Sequence, residues 1–335
     1  LGNNPYHLWV AKRARQGGSL VVLHDVVLHH LLVEEAAAEG AWERFADELE
    51  AACGKAGRAL AWARQWGFAG PLDPFLFPAF QPFLAAARGV VVHSKWAAEA
   101  VARAFPHLPV LHVPLAVADL RRGDGRALRQ QLGMGEQELL AVHLGFLTPA
   151  KGLREILQAF AVAAQLDLPW RLLVVGEGSQ GQALEGEVTA LGLASRVKLS
   201  GYVSAERLGE ILAACDLGLV LRYPTAGETS AAVLRFFAAG RPVVICGYQQ
   251  FLEFPPEVAL RVRPGDEGTM ELVRWLGFLA LHRDSLEAKK RQAREFWQQG
   301  KHKPEEAAKA LWAALKALPG EGFPEGLAPA RGKRG

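Results

Sequence analysis

Beyond residue 137 the chain alternates short, unbroken apolar runs with longer stretches of helical period. Residues 139–145, 171–176, 197–199, 216–221 and 242–245 read as strands; 151–165, 180–191, 205–214 and 229–239 read as the helices between them. Strands joined through helices by short loops indicate βαβ units around a parallel sheet. Runs such as Leu172-Leu-Val-Val175, apolar at every position, fit a sheet covered on both faces.

The first half repeats this pattern more faintly. Residues 20–23 and 90–92 are short apolar strands ending at the polar pairs His24-Asp25 and His93-Ser94, with a helical stretch over 31–64 between them and a further strand at 111–113. Residues 119–136, rich in Arg, Gly and Asp, read as a linker. The expected division is an α/β domain over 1–118, the linker over 119–136, and a second α/β domain over 137–300. A helix over 301–318 and a disordered Pro/Gly-rich basic tail over 319–335 complete it. The opening Leu1-Gly-Asn-Asn-Pro-Tyr-His7 reads as the end of a strand, so the first domain is expected to be N-terminally incomplete.

Composition narrows the function. A formal net charge of +3 over 335 residues, with scattered basic residues, is no footprint for nucleic acid. The three cysteines, Cys53, Cys215 and Cys246, lack metal-site spacing and cannot all pair. With no apolar run of about eighteen residues and no signal-like start, the reading is cytoplasmic, leaving room for peripheral attachment to a membrane face. Oligomeric state is left open.

The chemistry concentrates at Arg222-Tyr-Pro-Thr-Ala-Gly-Glu-Thr-Ser230, where a strand gives way to a loop and then a helix. Strand ends of open α/β sheets and helix N-termini are where ligands and anions bind. Glu228 is the lone carboxylate where this loop becomes helix, and Lys151 opens the helix after residues 145–150. Gly176-Glu-Gly178-Ser-Gln-Gly181 spells Gly-x-Gly-x-x-Gly, but the next strand, Val197-Lys-Leu-Ser200, offers no carboxylate for a ribose. A tandem dinucleotide-binding oxidoreductase using NAD(P) is therefore the weaker alternative. No Asp-x-Asp occurs, so a chelated-metal site is not expected.

Five blocks in order carry a resemblance. They are Gly145-Phe-Leu-Thr-Pro-Ala-Lys151-Gly, Leu173-Val-Val-Gly-Glu-Gly178, Val197-Lys-Leu-Ser-Gly201-Tyr-Val, Ala214-Cys-Asp216, and Gly227-Glu-Thr-Ser230 continuing to Gly240-Arg-Pro-Val-Val244. Together they resemble the donor-binding domain of family 4 glycosyltransferases, while Gly2-Asn-Asn, Val22-Leu-His-Asp25 and Val92-His-Ser94 resemble the acceptor side. The resemblance implies the GT-B architecture, two Rossmann-like domains with parallel sheets facing across a cleft. It implies retaining, metal-independent transfer of a sugar from a nucleotide-diphosphate sugar, the co-substrate, to an unidentified glycan, lipid or small molecule.

By the same resemblance, Lys151 pairs with the diphosphate, Glu228 contacts sugar hydroxyls, and His24 approaches the donor sugar from the acceptor side. Gly145, Gly176, Gly178, Thr229, Ser230 and Arg235 line the donor. Two positions depart from the family: Phe146 stands where an arginine completes the phosphate clamp, and Arg235 stands where a second glutamate holds the ribose. These departures motivate the alternative of a non-catalytic relative that binds nucleotide or glycan as a partner subunit.

Overall fold

The computed structural model describes residues 1–318; the expected tail, 319–335, lies outside them. The larger sheet contains β4 (Leu139–Leu144), β5 (Trp170–Val175), β6 (Val197–Leu199), β7 (Leu217–Val220), β8 (Val243–Cys246) and β9 (Ala259–Val262). All its pairings are parallel, in the order β6-β5-β4-β7-β8-β9. The order reverses between β4 and β7, registered at Ala141 with Leu217 and His143 with Leu219. That reversal opens a crevice beyond the strands' carboxyl ends.

The unbroken apolar strands serve two cores at once. Leu139, Ala141, Leu172, Val174, Leu217 and Leu219 face the helices Leu153–Gln165 and Asp266–Leu281. Leu140, Val142, Leu173, Val175 and Val220 face the helices Ala205–Ala214 and Ala231–Ala238. Asp216 locks this body from its buried position just before β7. Its carboxylate accepts from the Leu140 amide (2.8 Å) and Lys290 Nζ (2.7 Å) and pairs with Arg129.

The smaller sheet is β1 (Leu20–Val22), β2 (Gly89–Val92) and β3 (Val110–His112), parallel in that order. Helices His29–Glu39, Trp42–Cys53 and Lys55–Gln65 fill the stretch between its first two strands. Its core is largely helical, with Leu31, Leu32, Phe45, Leu49 and Phe83 fully buried. Glu35, 1% exposed, ties three helices here by accepting a forked pair from Arg15, which also reaches Glu48.

Three expectations change. The opening residues form a turn, Pro5–His7, and a helix, Leu8–Arg15; only Leu1 runs beside β1, its carbonyl accepting from the His24 amide at 2.6 Å. The expected linker contains the helix Arg126–Gln131, whose Leu128 is buried in the second domain's core. Strand β9 was not anticipated, because Arg261 interrupts a run whose other members are buried. The last helix, Pro304–Lys316, leads back to the first domain, where Leu318 approaches Gly89.

The two domains meet tightly at one side of the cleft. The amides of Val26 and Val27 both donate to Ala226 O (2.8 and 3.2 Å), and Thr229 Oγ1 donates to His93 O (3.0 Å). Glu253 accepts from the Lys95 and Trp96 amides (3.0 and 2.8 Å), placing a carboxylate at the positive end of the helix Lys95–Ala104. Gly227 adopts φ +80°, and a Cβ there would stand 2.3 Å from Val26 and 2.5 Å from the Trp96 ring. A side chain at this position would wedge the domains apart.

Candidate active site at the switch point

Lys151 and Arg222 follow the ends of β4 and β7, the two neighbouring strands at which the sheet order reverses. Lys151 does not open the following helix. It closes a short 3-10 turn, Pro149–Lys151, and Gly152 at φ +64° then admits the helix Leu153–Gln165. The ammonium therefore points back toward the crevice, 3.8 Å from where a Cβ on Gly145 would stand. Among the described residues it has neither a hydrogen bond nor an ion pair. Burial, followed by the charge of Arg222, pushes its pKa down to about 8. A desolvated, unpaired cation is costly unless an anion arrives.

Glu228 stands two residues before the helix cap. Ser230, not Thr229, caps the helix Ala231–Ala238 through Val233 N (3.4 Å), while Thr229 spends its hydroxyl across the domain boundary. Oε2 of Glu228 accepts from Thr225 Oγ1 (2.9 Å) and the Ala226 amide (3.1 Å). Gln250, 3% exposed, braces this loop from behind, donating to Thr225 Oγ1 (2.6 Å) and Glu228 O (3.0 Å). Oε1 touches the Arg222 guanidinium in an ion pair and has no hydrogen bond.

From the facing domain come His24 and Asp25, at the end of β1. Burial, then the charge of Glu228, pushes Asp25 up to about 6, and the Asn3 amide donates to it at 2.7 Å. The His24 ring stacks on His93 with centroids 5.1 Å apart. Desolvation and positive neighbours hold it below the ordinary histidine range, favouring the neutral ring. The cleft thus gathers two cations and two carboxylates, one of the four from the first domain.

Beside this cluster lies an open cavity of about 340 Å³, lined by Gly145, Phe146, Gly176, Glu177, Tyr202 and Arg235 among others. Phe146 and Tyr202 are largely exposed, presenting two aromatic faces. Gly176 is fixed by close approach: at φ +137° a Cβ would lie 2.0 Å from Gly145 O. Gly178 stands outside the cavity lining, holding the loop around Leu147 in place, since a Cβ there would meet Leu147 O at 2.5 Å.

The structure therefore brings Lys151 and Glu228 together with Arg222 and Asp25, and Gly145, Gly176 and Arg235 to the adjoining cavity; His24 is the residue before Asp25, with its ring on His93. Thr229 and Ser230 are placed in interdomain and capping roles. Sequence reasoning gave no role to Arg222, Tyr202 or Gln250 and left Asp25 unassigned. The available signal was a polar residue directly after an apolar run, which Arg222 and Asp25 both satisfy.

Two Rossmann-like domains facing across a cleft, with the ligand crevice at the switch point, define the GT-B class of glycosyltransferase folds. Solved structures agree. The chain superposes on Anabaena HepE, solved with UDP and glucose, with TM-score 0.67 at 18% identity over 94% of this chain and 77% of that one. Sucrose-phosphate synthase from Thermosynechococcus elongatus gives 0.61 at 22% identity over 76% and 65%. Residues 124–254, in the second domain and the stretch leading into it, match the family described as glycosyl transferases group 1.

Two curated relatives align with the same region. D-inositol 3-phosphate glycosyltransferase of Segniliparus rotundus is 33% identical over 129 residues, 37% of this chain and 28% of that protein. Mannosylfructose-phosphate synthase of Agrobacterium fabrum is 34% identical over 127 residues, 35% and 27%. The matched stretch thus spans under a third of either relative. No helix among the described residues is long and apolar enough to cross a membrane.

Proposed function

We propose that this chain is a retaining, family 4 type glycosyltransferase, moving a sugar from a nucleoside-diphosphate sugar to an acceptor bound on the first domain's side. The observation that carries the reading is the unpaired Lys151 ammonium at the foot of the crevice, beside a Glu228 carboxylate whose Oε1 accepts no hydrogen bond. As the bond to the sugar breaks, the leaving diphosphate gains charge, and a fixed cation in a dry site stabilises it. Oε1 of Glu228, which accepts no hydrogen bond, suits a sugar hydroxyl once it leaves its ion pair with Arg222. The nucleoside would occupy the cavity beside Phe146 and Tyr202, where ring faces can stack on a base, with Arg235 in reach of ribose or phosphate.

Asp25 and His24 meet the sugar from the opposite wall. Retention follows if the acceptor hydroxyl arrives on the leaving group's own face and passes its proton to the departing phosphate oxygen. His24, neutral, would then steady hydroxyls rather than carry charge. Support for the donor class comes from the group 1 match and from a fold neighbour that holds UDP and glucose.

Thermal unfolding with UDP, GDP, ADP and their sugar conjugates tests the proposal. A ligand at about one hundred times its dissociation constant adds roughly 2.7 kcal/mol. We expect one nucleotide to raise Tm in the native chain and to lose that effect in Lys151→Ala. The absence of any shift would sink the reading. The Arg222 contact to Glu228 favours one second reading, a binding subunit without transfer. In that case the shift persists, but no nucleoside diphosphate is released from any conjugate.

A further inference from the structure

We infer that Arg222 is the second phosphate-binding cation of this site, taking the place left empty by Phe146, and that donor binding moves it from Glu228 to the diphosphate. The inference rests on the proposed nucleotide-sugar reading and concerns how this chain achieves it.

A diphosphate in a desolvated cleft calls for more than one positive charge. The loop after β4 supplies only Lys151, because Phe146 turns its ring into the open nucleoside cavity. The neighbouring strand supplies the other candidate. β4 and β7 are paired in register, so the residues beyond their ends emerge side by side, and the charge of Arg222 helps depress the Lys151 pKa. Two like charges held near one another oppose each other, a cost that Glu228 and Asp25 offset only in part and that a diphosphate between them converts into attraction.

The guanidinium is not committed to its present partner. A guanidinium has five N–H donors. Arg222 Nε is buried without a hydrogen-bond partner, and the contact to Glu228 Oε1 is an ion pair without hydrogen-bond geometry. Glu228 does not need Arg222 to stay in place, since Thr225 and the Ala226 amide hold its other oxygen. An arriving donor can therefore exchange partners at little structural cost. Arg222 turns its planar fork to phosphate oxygens, and Oε1 is released to accept from a sugar hydroxyl. The contact is a resting pair that the donor itself breaks.

Calorimetric binding of the nucleoside diphosphate that stabilises the native chain, and of its parent nucleoside, separates this from a purely structural role. Arg222→Gln should weaken the diphosphate by about 10- to 100-fold and leave the nucleoside within about twofold. Arg222→Lys should recover part of the loss, because it restores charge but not the fork. The decisive variant combines Arg222→Gln with Glu228→Gln, which removes any repulsion from an unpaired carboxylate.

If Arg222 contacts phosphate, the double variant stays weak. If Arg222 only neutralises Glu228, diphosphate affinity returns and the inference is overturned. An unchanged diphosphate-to-nucleoside ratio in Arg222→Gln, with binding lost in Lys151→Ala, overturns it while the nucleotide-sugar reading stands. A native chain that binds no nucleoside diphosphate refutes that reading and this inference with it.

Discussion

The two domains contribute to the same cleft from very different foundations. The second rests on six strands sealed on both faces, and its functional side chains are fastened from several directions. Glu228 is held by a hydroxyl and an amide, and Gln250 braces the loop behind it. The first rests on three strands of three or four residues. His24 leans on one ring, and Asp25 receives one amide. What aligns them with the donor side is the partner domain itself, through Ala226 O and Thr229. On the proposed reading, the donor pocket is preorganised by its own domain, whereas the acceptor wall depends on contact with the partner domain.

The largest expected effect would test how separately the two foundations stand. Asp216→Ala removes the buried carboxylate that Lys290, Arg129 and the Leu140 amide share and should cost about 3–5 kcal/mol. Glu35→Ala removes the corresponding lock of the first domain, leaving Arg15 half-served. Differential scanning calorimetry should show Asp216→Ala lowering the second domain's transition far more than the first's, and Glu35→Ala the reverse. Equal shifts in a single transition would show that the domains unfold as one body, and the contrast would fall.

The Asp216 lock also has a definite pH sense. Lys290 and Arg129 hold its folded pKa below the ordinary 3.8, although burial works against them. The stabilisation is therefore present above the unfolded value and lost as pH falls through the lower folded one.

A middle-sized effect should appear at the phosphate end. With Lys151 titrating at about 8 in the free protein, diphosphate affinity should weaken above that pH, by up to about tenfold per unit. Stability moves the other way. Between about 8 and the ordinary 10.5 the unfolded chain binds the extra proton, so the folded state gains as pH rises. Isothermal titration at neutral pH and above pH 9 should show the loss in the native chain and a flat profile in Lys151→Ala. A flat native profile would remove Lys151 from the phosphate site.

The sequence made the second domain legible for the same reason that it is the firmer one. Strands buried on both faces must be apolar at every position, so 139–145 and 171–176 stood out without any periodicity. The alternation that sends Leu139 and Leu140 into different cores left no trace, because both cores want the same residue types. Strand β9 stayed hidden because Arg261 breaks its run. Lys151 and Glu228 were visible as charges at strand and loop ends, but their exact stations were not. Gly152 and Ser230 each shift a helix start by a residue or two, and caps decide this rather than pattern. Arg222 was passed over because its importance depends on β7 lying beside β4, a pairing between strands far apart in sequence.

The smallest effect is the sharpest test of the contrast, because it asks one residue to affect one side only. His24 stands at the end of β1 with its ring against His93, outside the lining of the cavity beside Phe146 and Tyr202. If it belongs to the wall that closure positions, His24→Ala should slow transfer by about tenfold, within the range for a group that steadies a reacting hydroxyl. Diphosphate affinity should stay within about twofold, because Lys151 and the cavity are untouched. Removing a neutral ring also deletes no charge from the cluster, so the pH dependence set by Lys151 should persist. A parallel fall in diphosphate affinity would mean that the first domain helps to build the donor pocket, and the division of labour between the domains would have to be abandoned.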